Sequence, residues 1–293
     1  MLNSAKGRNE KWWNALLHLR IPFSVYLMPV YWFALLNTDF NLLRAVLVFI
    51  VLHVFVYPAS NGYNSFFDRD EQSIGGMKKP PLVTKELWYV VLAFDILSVL
   101  LSLLVNLTFT IMVLIYLLVS KAYSYDKIRL KKYPVIGTLT VVFFQGFFTC
   151  VAVQAGTGTA YSLSADTIAF ALVSSLFLLG SYPMTQIYQH EEDAKHGDRT
   201  LSRQLGIKGT FIFTGIVFFV ASVLICVLFF KNRTYENILI YLLAVFPVNI
   251  YFLKWYADFS KGKPVIDYEH TMLLNKMSSL LLSAAFILML IMK

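Results

Sequence analysis

Two stretches of the sequence carry oxygen-rich side chains at helical spacing. In the first, NGYNSFFDRDEQSIGGMKKPP over 61–81, Asn61, Asn64, Asp68 and Glu71 are three, four and three residues apart. That spacing predicts one shared helix face. In the second, QIYQHEED over 186–193, Gln186, Gln189 and Asp193 repeat the order amide, amide, carboxylate. Each stretch closes a long apolar run. Carboxylate and amide oxygens are hard ligands suited to Mg2+, an ion that keeps several waters and bridges to substrate phosphates. The expected metal ligands are Asn64, Asp68, Asp70 and Glu71 from the first stretch and Glu192 and Asp193 from the second. Ordinary interfacial charges would account for Arg69 and Asp70, but not for Asn61 and Asn64, whose amides lie inside an apolar run where unsatisfied polar groups are costly. Gln186 and Gln189 also suit plain helix-to-helix contacts.

A third stretch supplies cations: Tyr123, Lys127, Arg129, Lys131 and Lys132 follow another apolar run. Alone these residues read as topogenic or lipid-binding. Beside two acidic faces they form a phosphate clamp, since a diphosphate would bind metal and cations together. Asp95 sits in the middle of an apolar run. It is either a functional group or a buried acid bonded to a neighbouring helix. Gly75-Gly76 and the Lys79-Pro80-Pro81 turn make a lid or a plain connector. Phe143, Phe144, Phe147 and Phe148 either line an apolar tunnel or pack against lipid and protein.

The elements that must position these groups are membrane helices. The 293 residues are 58% hydrophobic and 14% charged, against about 25% charged in soluble domains. Residues 9–20, with Trp12 and Trp13 beside charges, predict an interfacial helix. Apolar runs follow at 21–37, 41–63, 86–105, 107–122, 134–155, 166–188, 209–230, 235–253 and 270–292, each near the length of a span. The expected fold is an all-α integral membrane protein, nine transmembrane helices around a central cavity in one domain over 1–293. With a cytoplasmic N-terminus, 20 of the 25 basic residues fall on the cytoplasmic side, and Arg44, Lys231, Arg233 and Lys293 on the other. The segments 64–86, 121–133 and 189–208 then share the cytoplasmic side of the cell membrane, where the active site is expected. The net charge of +8 lies in these short loops and does not indicate nucleic acid. Cys150 and Cys226 lie inside apolar runs and read as small core residues. Polar residues crowded on one side favour an enzyme over a transporter or a lipid-binding protein, which would show access from both sides.

Over nearly its full length the chain resembles the UbiA superfamily of intramembrane prenyltransferases. Arg20-Ile21-Pro22 resembles the family's opening of the first helix, and Asn64-x-x-x-Asp68 the first Asp-rich motif. Lys78-Lys79-Pro80-Pro81-Leu82 resembles the basic stretch after it. Tyr123-x-x-x-Lys127 with Arg129-Leu130-Lys131 resembles the basic motif, and Glu192-Asp193, Gly197, Thr200-Leu201 and Leu205-Gly206 the close of the second Asp-rich motif. The resemblance implies Mg2+ as cofactor, a polyprenyl diphosphate as donor and a lipophilic, preferentially aromatic acceptor. It implies Asp68, Asp193 and Lys127 as catalytic residues, and Lys127, Arg129, Lys131, Lys79 and Arg199 around the diphosphate. Asn61, Tyr123, Gln186, Gln189 and Tyr182 would line the pocket. Gln72, Gln186 and Gln189 stand where the family pattern has acids, so the second half-site would hold its ion mainly through Asp193, helped by Glu192 or Glu191. A member that transfers a phosphosugar to polyprenyl phosphate, or one that has lost catalysis, is the competing expectation.

Overall fold

A computed structural model describes residues 2–160, 162–195 and 197–293, with side chains from residue 9 onward. The chain opens with α1 (Leu2–His18), whose Trp12 and Trp13 are exposed while Ala15 and Leu19 are buried. It breaks at Arg20, which takes a left-handed conformation (φ 49°), and resumes through a 3-10 segment, Ile21–Leu27, that Pro22 starts, into α2 (Met28–Leu36). Proline suits this first turn because the amide it lacks would be unpaired there.

The remaining spans are α3 (Leu42–Asp68), α4 (Glu86–Leu103), α5 (Leu107–Ser124), α6 (Pro134–Thr157) and α7 (Ala165–Gln186). After a short α8 (His190–Lys195) come α9 (Leu201–Lys231), α10 (Tyr235–Ser260) and α11 (Tyr268–Met292). Among the described residues nine helical segments, counting Asn9–Leu36 as the first, are long and apolar enough to cross a membrane. They match the nine apolar runs. Asn106 accepts from the Phe109 amide at 2.8 Å and so caps α5, which is why the weakest boundary in the sequence is a true helix start.

An aromatic core fills one half of the bundle. Phe33 stacks on Phe170 at 4.6 Å between ring centroids and lies 5.1 Å from Phe286. The other half, where α3, α5 and α7 end at Asp68, Ser124 and Gln186, opens into a cavity of about 310 Å³. Two π-helical stretches, Val51–Val56 in α3 and Val142–Phe148 in α6, widen the helices beside it. Such widened turns are frequent at functional sites. Tyr57, just past the first, and Phe144 and Gln145, within the second, line the cavity. Phe144 alone of the four helix-α6 phenylalanines does so, and Phe143 faces outward. Asp95 resolves as a bonded acid: Lys121 reaches it at 2.8 Å and lies 4.5 Å from the centre of the Tyr63 ring. Cys150 is buried and neither cysteine is in a disulfide.

Candidate functional site

Both polar stretches line the one cavity. Asn61, Asn64 and Asp68 come from α3, Asp70 from the loop after it, Gln186 from α7, and Gln189, Glu192 and Asp193 from the turn and short helix that follow. Tyr123 and Tyr182 also line it, their hydroxyls bonded to each other. The helical faces are shorter than their spacing predicts. Helix α3 ends at Asp68 because Arg69 adopts φ 52°, so Glu71 leaves the shared face and is exposed outside the cavity. Helix α7 ends at Gln186, yet the Gln189 amide bonds to the Gln186 carbonyl and the Asp193 amide to the Gln189 carbonyl, both at 2.9 Å. These bonds carry the three residues across the break on one side.

The cations sort differently from the sequence expectation. Lys131 enters the cavity and bonds to Asp68, with Asn64 Oδ1 3.3 Å away. Arg129 lies 3.3 Å from Asp68 and grips Asp198 through Nε and a terminal nitrogen, 3.0 Å each. Lys127, Lys79 and Arg199 are exposed and do not line the cavity. The reason is the left-handed Arg129 (φ 40°) and the single 3-10 turn, Leu130–Lys132, which fold the chain back so that Lys131 points inward and Lys127 stays on the outer turn.

Asp198 is the residue the sequence reading missed. It is 5% exposed, lines the cavity, and binds Arg129. Its only signal is an acid between Gly197 and Arg199 in a loop that the resemblance already marked. Arg20 likewise enters as a site residue: it lines the cavity and donates to the carbonyls of Gly75 at 3.0 Å and Asn61 at 3.1 Å.

The electrostatics follow from burial. Burial pushes the Asp193 carboxyl up to about 7, against the Thr200 hydroxyl, which donates to it at 3.1 Å, and with the neighbouring Asp198 charge adding to the rise. Burial works against the Arg129 charge, but the carboxylates of Asp198 and Asp68 outweigh it and hold that guanidinium above its ordinary range. Burial, with Arg203 nearby, lowers His190.

Among the described residues no three acids, histidines or cysteines converge on one point. Asp68 and Asp70 on one wall and Glu192 and Asp193 on the other nevertheless offer hard oxygens to one space. This donor set fits Mg2+ only as that ion is usually held, by one or two carboxylates with water and phosphate oxygens completing the sphere. The Gln189 side-chain nitrogen donates to the Ser73 carbonyl at 3.1 Å, so of its two polar atoms the nitrogen is engaged with the loop after α3.

A bundle of apolar helices around one chamber, charged at its end and aromatic within, is built for a ligand that is part anionic and part hydrocarbon. The UbiA prenyltransferase family model matches residues 26–277, and the chain belongs to this family. No curated protein matches the chain in sequence. Solved structures do. A UbiA homologue from Archaeoglobus fulgidus bound to GPP and Mg2+ is 21% identical, with 94% of this chain and 99% of that one covered at a TM-score of 0.69. An apo UbiA homologue from Aeropyrum pernix K1 is 20% identical over 92% and 98% of the two chains, with a TM-score of 0.69. A digeranylgeranylglyceryl phosphate synthase is 22% identical over 97% and 100%, with a TM-score of 0.61. At these identities the likeness is one of fold.

Proposed function

We propose that the protein transfers a prenyl group from a polyprenyl diphosphate to a lipophilic acceptor, preferentially aromatic, at the cytoplasmic side of the cell membrane, with its N-terminus in the cytoplasm. The observation that supports this reading best is the lengthwise polarity of the cavity. Asp68 closes α3, and Tyr57 lies eleven residues, or about 16 Å, further along the same helix. Tyr116 lies about 12 Å along α5 from Ser124. A diphosphate belongs with the charges and a hydrocarbon chain with Tyr57, Tyr116, Phe144 and Leu178.

In this reading Lys131 contacts the diphosphate, and Arg129 supports it through Asp68 and Asp198. Asn64, Asp68, Asp70, Glu192 and Asp193 are the residues that would hold Mg2+, which when bound supplies positive charge for the leaving diphosphate. The allylic carbon–oxygen bond breaks, its electron pair leaving with the diphosphate. The cation forms beside the charged end, where Tyr123 and Tyr182 line the cavity, while Tyr57, Tyr116 and Phe144 line the part that would hold the rest of the chain. The acceptor's nucleophilic atom forms the new bond to that carbon and gives up a proton. Lys131 stabilises charge that develops on the leaving group as the bond breaks, which is where such groups act most strongly.

The family relationship, and the fold shared with the Archaeoglobus fulgidus homologue that was solved bound to GPP and Mg2+, support the donor class and the metal. The test is diphosphate release from geranylgeranyl or farnesyl diphosphate with a panel of aromatic and lipid acceptors, titrated with Mg2+. The expected outcome is turnover that rises with Mg2+ and stops in excess chelator. Release that persists in chelator overturns the metal assignment. Tight diphosphate binding with no turnover for any acceptor overturns the transfer reaction in favour of a divergent or inactive member.

A further inference from the structure

The loop between α3 and α4 forms a roof over the cavity, and Gln189 is joined to it. The roof's tip is rigid in itself. Ile74 and Met77 exchange two backbone hydrogen bonds of 2.9 Å, and the Ser73 hydroxyl donates to the Lys78 carbonyl at 2.9 Å. Gly76 takes φ 82°, and a side chain there would meet the Phe23 ring at 2.8 Å, so the tip lies flat on Phe23 because it is glycine. Ile74 is 4% exposed and lines the cavity from above.

Among the described residues, side-chain contacts tie the roof to the bundle at its edges and at its centre. Two ties are peripheral: His18 to the Pro81 carbonyl at 2.8 Å, and the Lys78–Glu269 ion pair, whose side chains are more than half exposed. Such an exposed pair holds little. Two more meet the tip at its centre. Arg20 donates to the Gly75 carbonyl at 3.0 Å, and the Gln189 amide nitrogen donates to the Ser73 carbonyl at 3.1 Å. A carboxylate at 189 has no hydrogen to give and would set oxygen against oxygen. The chemistry of this contact therefore requires an amide where the family pattern has an acid.

We infer that Gln189 is a positioning residue that latches the 72–78 roof over the cavity, and that its working atom is the amide nitrogen rather than a metal-binding oxygen. The latch joins the two halves of the site. The roof continues directly from Asp70, and the Gln189 carbonyl accepts the Asp193 amide. One side chain thus sets the spacing between the loop that presents Asp70 and the turn that presents Asp193. Its consequence for turnover rests on the prenyl-transfer reading, whereas the latch itself does not.

The test is hydrogen-exchange mass spectrometry of the full-length protein in detergent without substrate, following the peptide over 69–79. The variants are Gln189→Glu and Gln189→Met, which keep the length of the side chain and remove the donor. Both are expected to exchange about three- to tenfold faster in that peptide, the effect of losing one hydrogen bond of ordinary strength, while peptides of α10 keep their wild-type rates. Wild-type exchange over 69–79 in both variants overturns the latch. So does a split in which Gln189→Glu keeps wild-type exchange and binds Mg2+ more tightly while Gln189→Met loses Mg2+, the signature of a ligand oxygen at this position. A second readout needs activity: both variants are expected to raise the KM for the prenyl diphosphate more than they lower kcat. Failure of that split with faster exchange retained leaves the latch standing and counts against the catalytic reading of the cavity.

Discussion

Arg129 holds Asp198 through two parallel bonds of 3.0 Å, and its third side faces Asp68 at 3.3 Å. The pair joins the loop after α5 to the loop before α9, and through Asp68 it reaches the end of α3. A two-pronged grip of this kind depends on the planar guanidinium. Removing one partner of a buried pair leaves the other charge unpaired and costs about 3–5 kcal/mol. Asp198→Ala is therefore expected to lower the unfolding temperature in detergent by several degrees, and Arg129→Lys to recover only part of the function because a lysine cannot grip both oxygens. Wild-type thermal stability in Asp198→Ala would show that the pair is not a structural tie.

Lys131 and Lys127 separate cleanly in space, and activity should separate them too. Lys131 lines the cavity against Asp68 and Asn64, and Lys127 is exposed outside it. Lys131→Ala is expected to lower kcat at least 10²-fold, about 3 kcal/mol of leaving-group stabilisation, and Lys127→Ala less than fivefold. The measurement is steady-state turnover of a prenyl diphosphate. The reverse order would return the catalytic role to Lys127.

Asp68 and Asp193 should matter more than Asp70. Asp68→Ala and Asp193→Ala are expected to abolish turnover, by at least about 10²-fold, with expression unchanged. Asp70 follows the helix end rather than sitting on the α3 face, so Asp70→Ala should be milder. An inactive Asp70→Ala beside an active Asp68→Ala would contradict this placement of the first motif.

The buried Asp193 predicts a dependence on pH with a definite sign. Its carboxyl is raised from 3.8 to about 7 in the folded protein. The folded state therefore binds a proton more tightly than the unfolded one, and the stability this contributes is complete below about pH 4 and is lost as pH rises through 7. Asp193→Asn, which mimics the protonated acid, should melt at a higher temperature than the wild type at pH 8 and at nearly the same temperature at about pH 3.5, below the unfolded carboxyl's pKa. Equal melting differences at both values would show that Asp193 is not held protonated by its surroundings.

Sidedness is tested by cysteines at exposed positions. Lys79→Cys and Arg199→Cys should react with a membrane-impermeant thiol reagent from the cytoplasmic side, and Thr159→Cys only from the opposite side. Labelling of the first two from opposite sides would contradict a shared site.

Much of this architecture is local and so is written in the sequence. Nine runs of apolar residues must each satisfy their backbone within a helix, and the caps that separate them, such as Asn106, act within one turn. The column Asn61–Asn64–Asp68 follows from helical period, Gln186, Gln189 and Asp193 keep to one side across a break in theirs, and the structure brings both sets to one cavity. What the sequence left open depends on contacts between segments far apart. Whether Lys127 or Lys131 enters the cavity is decided by a left-handed residue at Arg129, which the carboxylates of Asp68 and Asp198 hold from 61 and 69 residues away. The end of α3 at Asp68, which expels Glu71, is another left-handed turn without a glycine to announce it. The partner of Gln189 is a backbone carbonyl, and every residue has one, so no residue type could have marked Ser73 in advance. Periodicity determines which face a side chain occupies along its own helix. Only the packed bundle decides what that face meets.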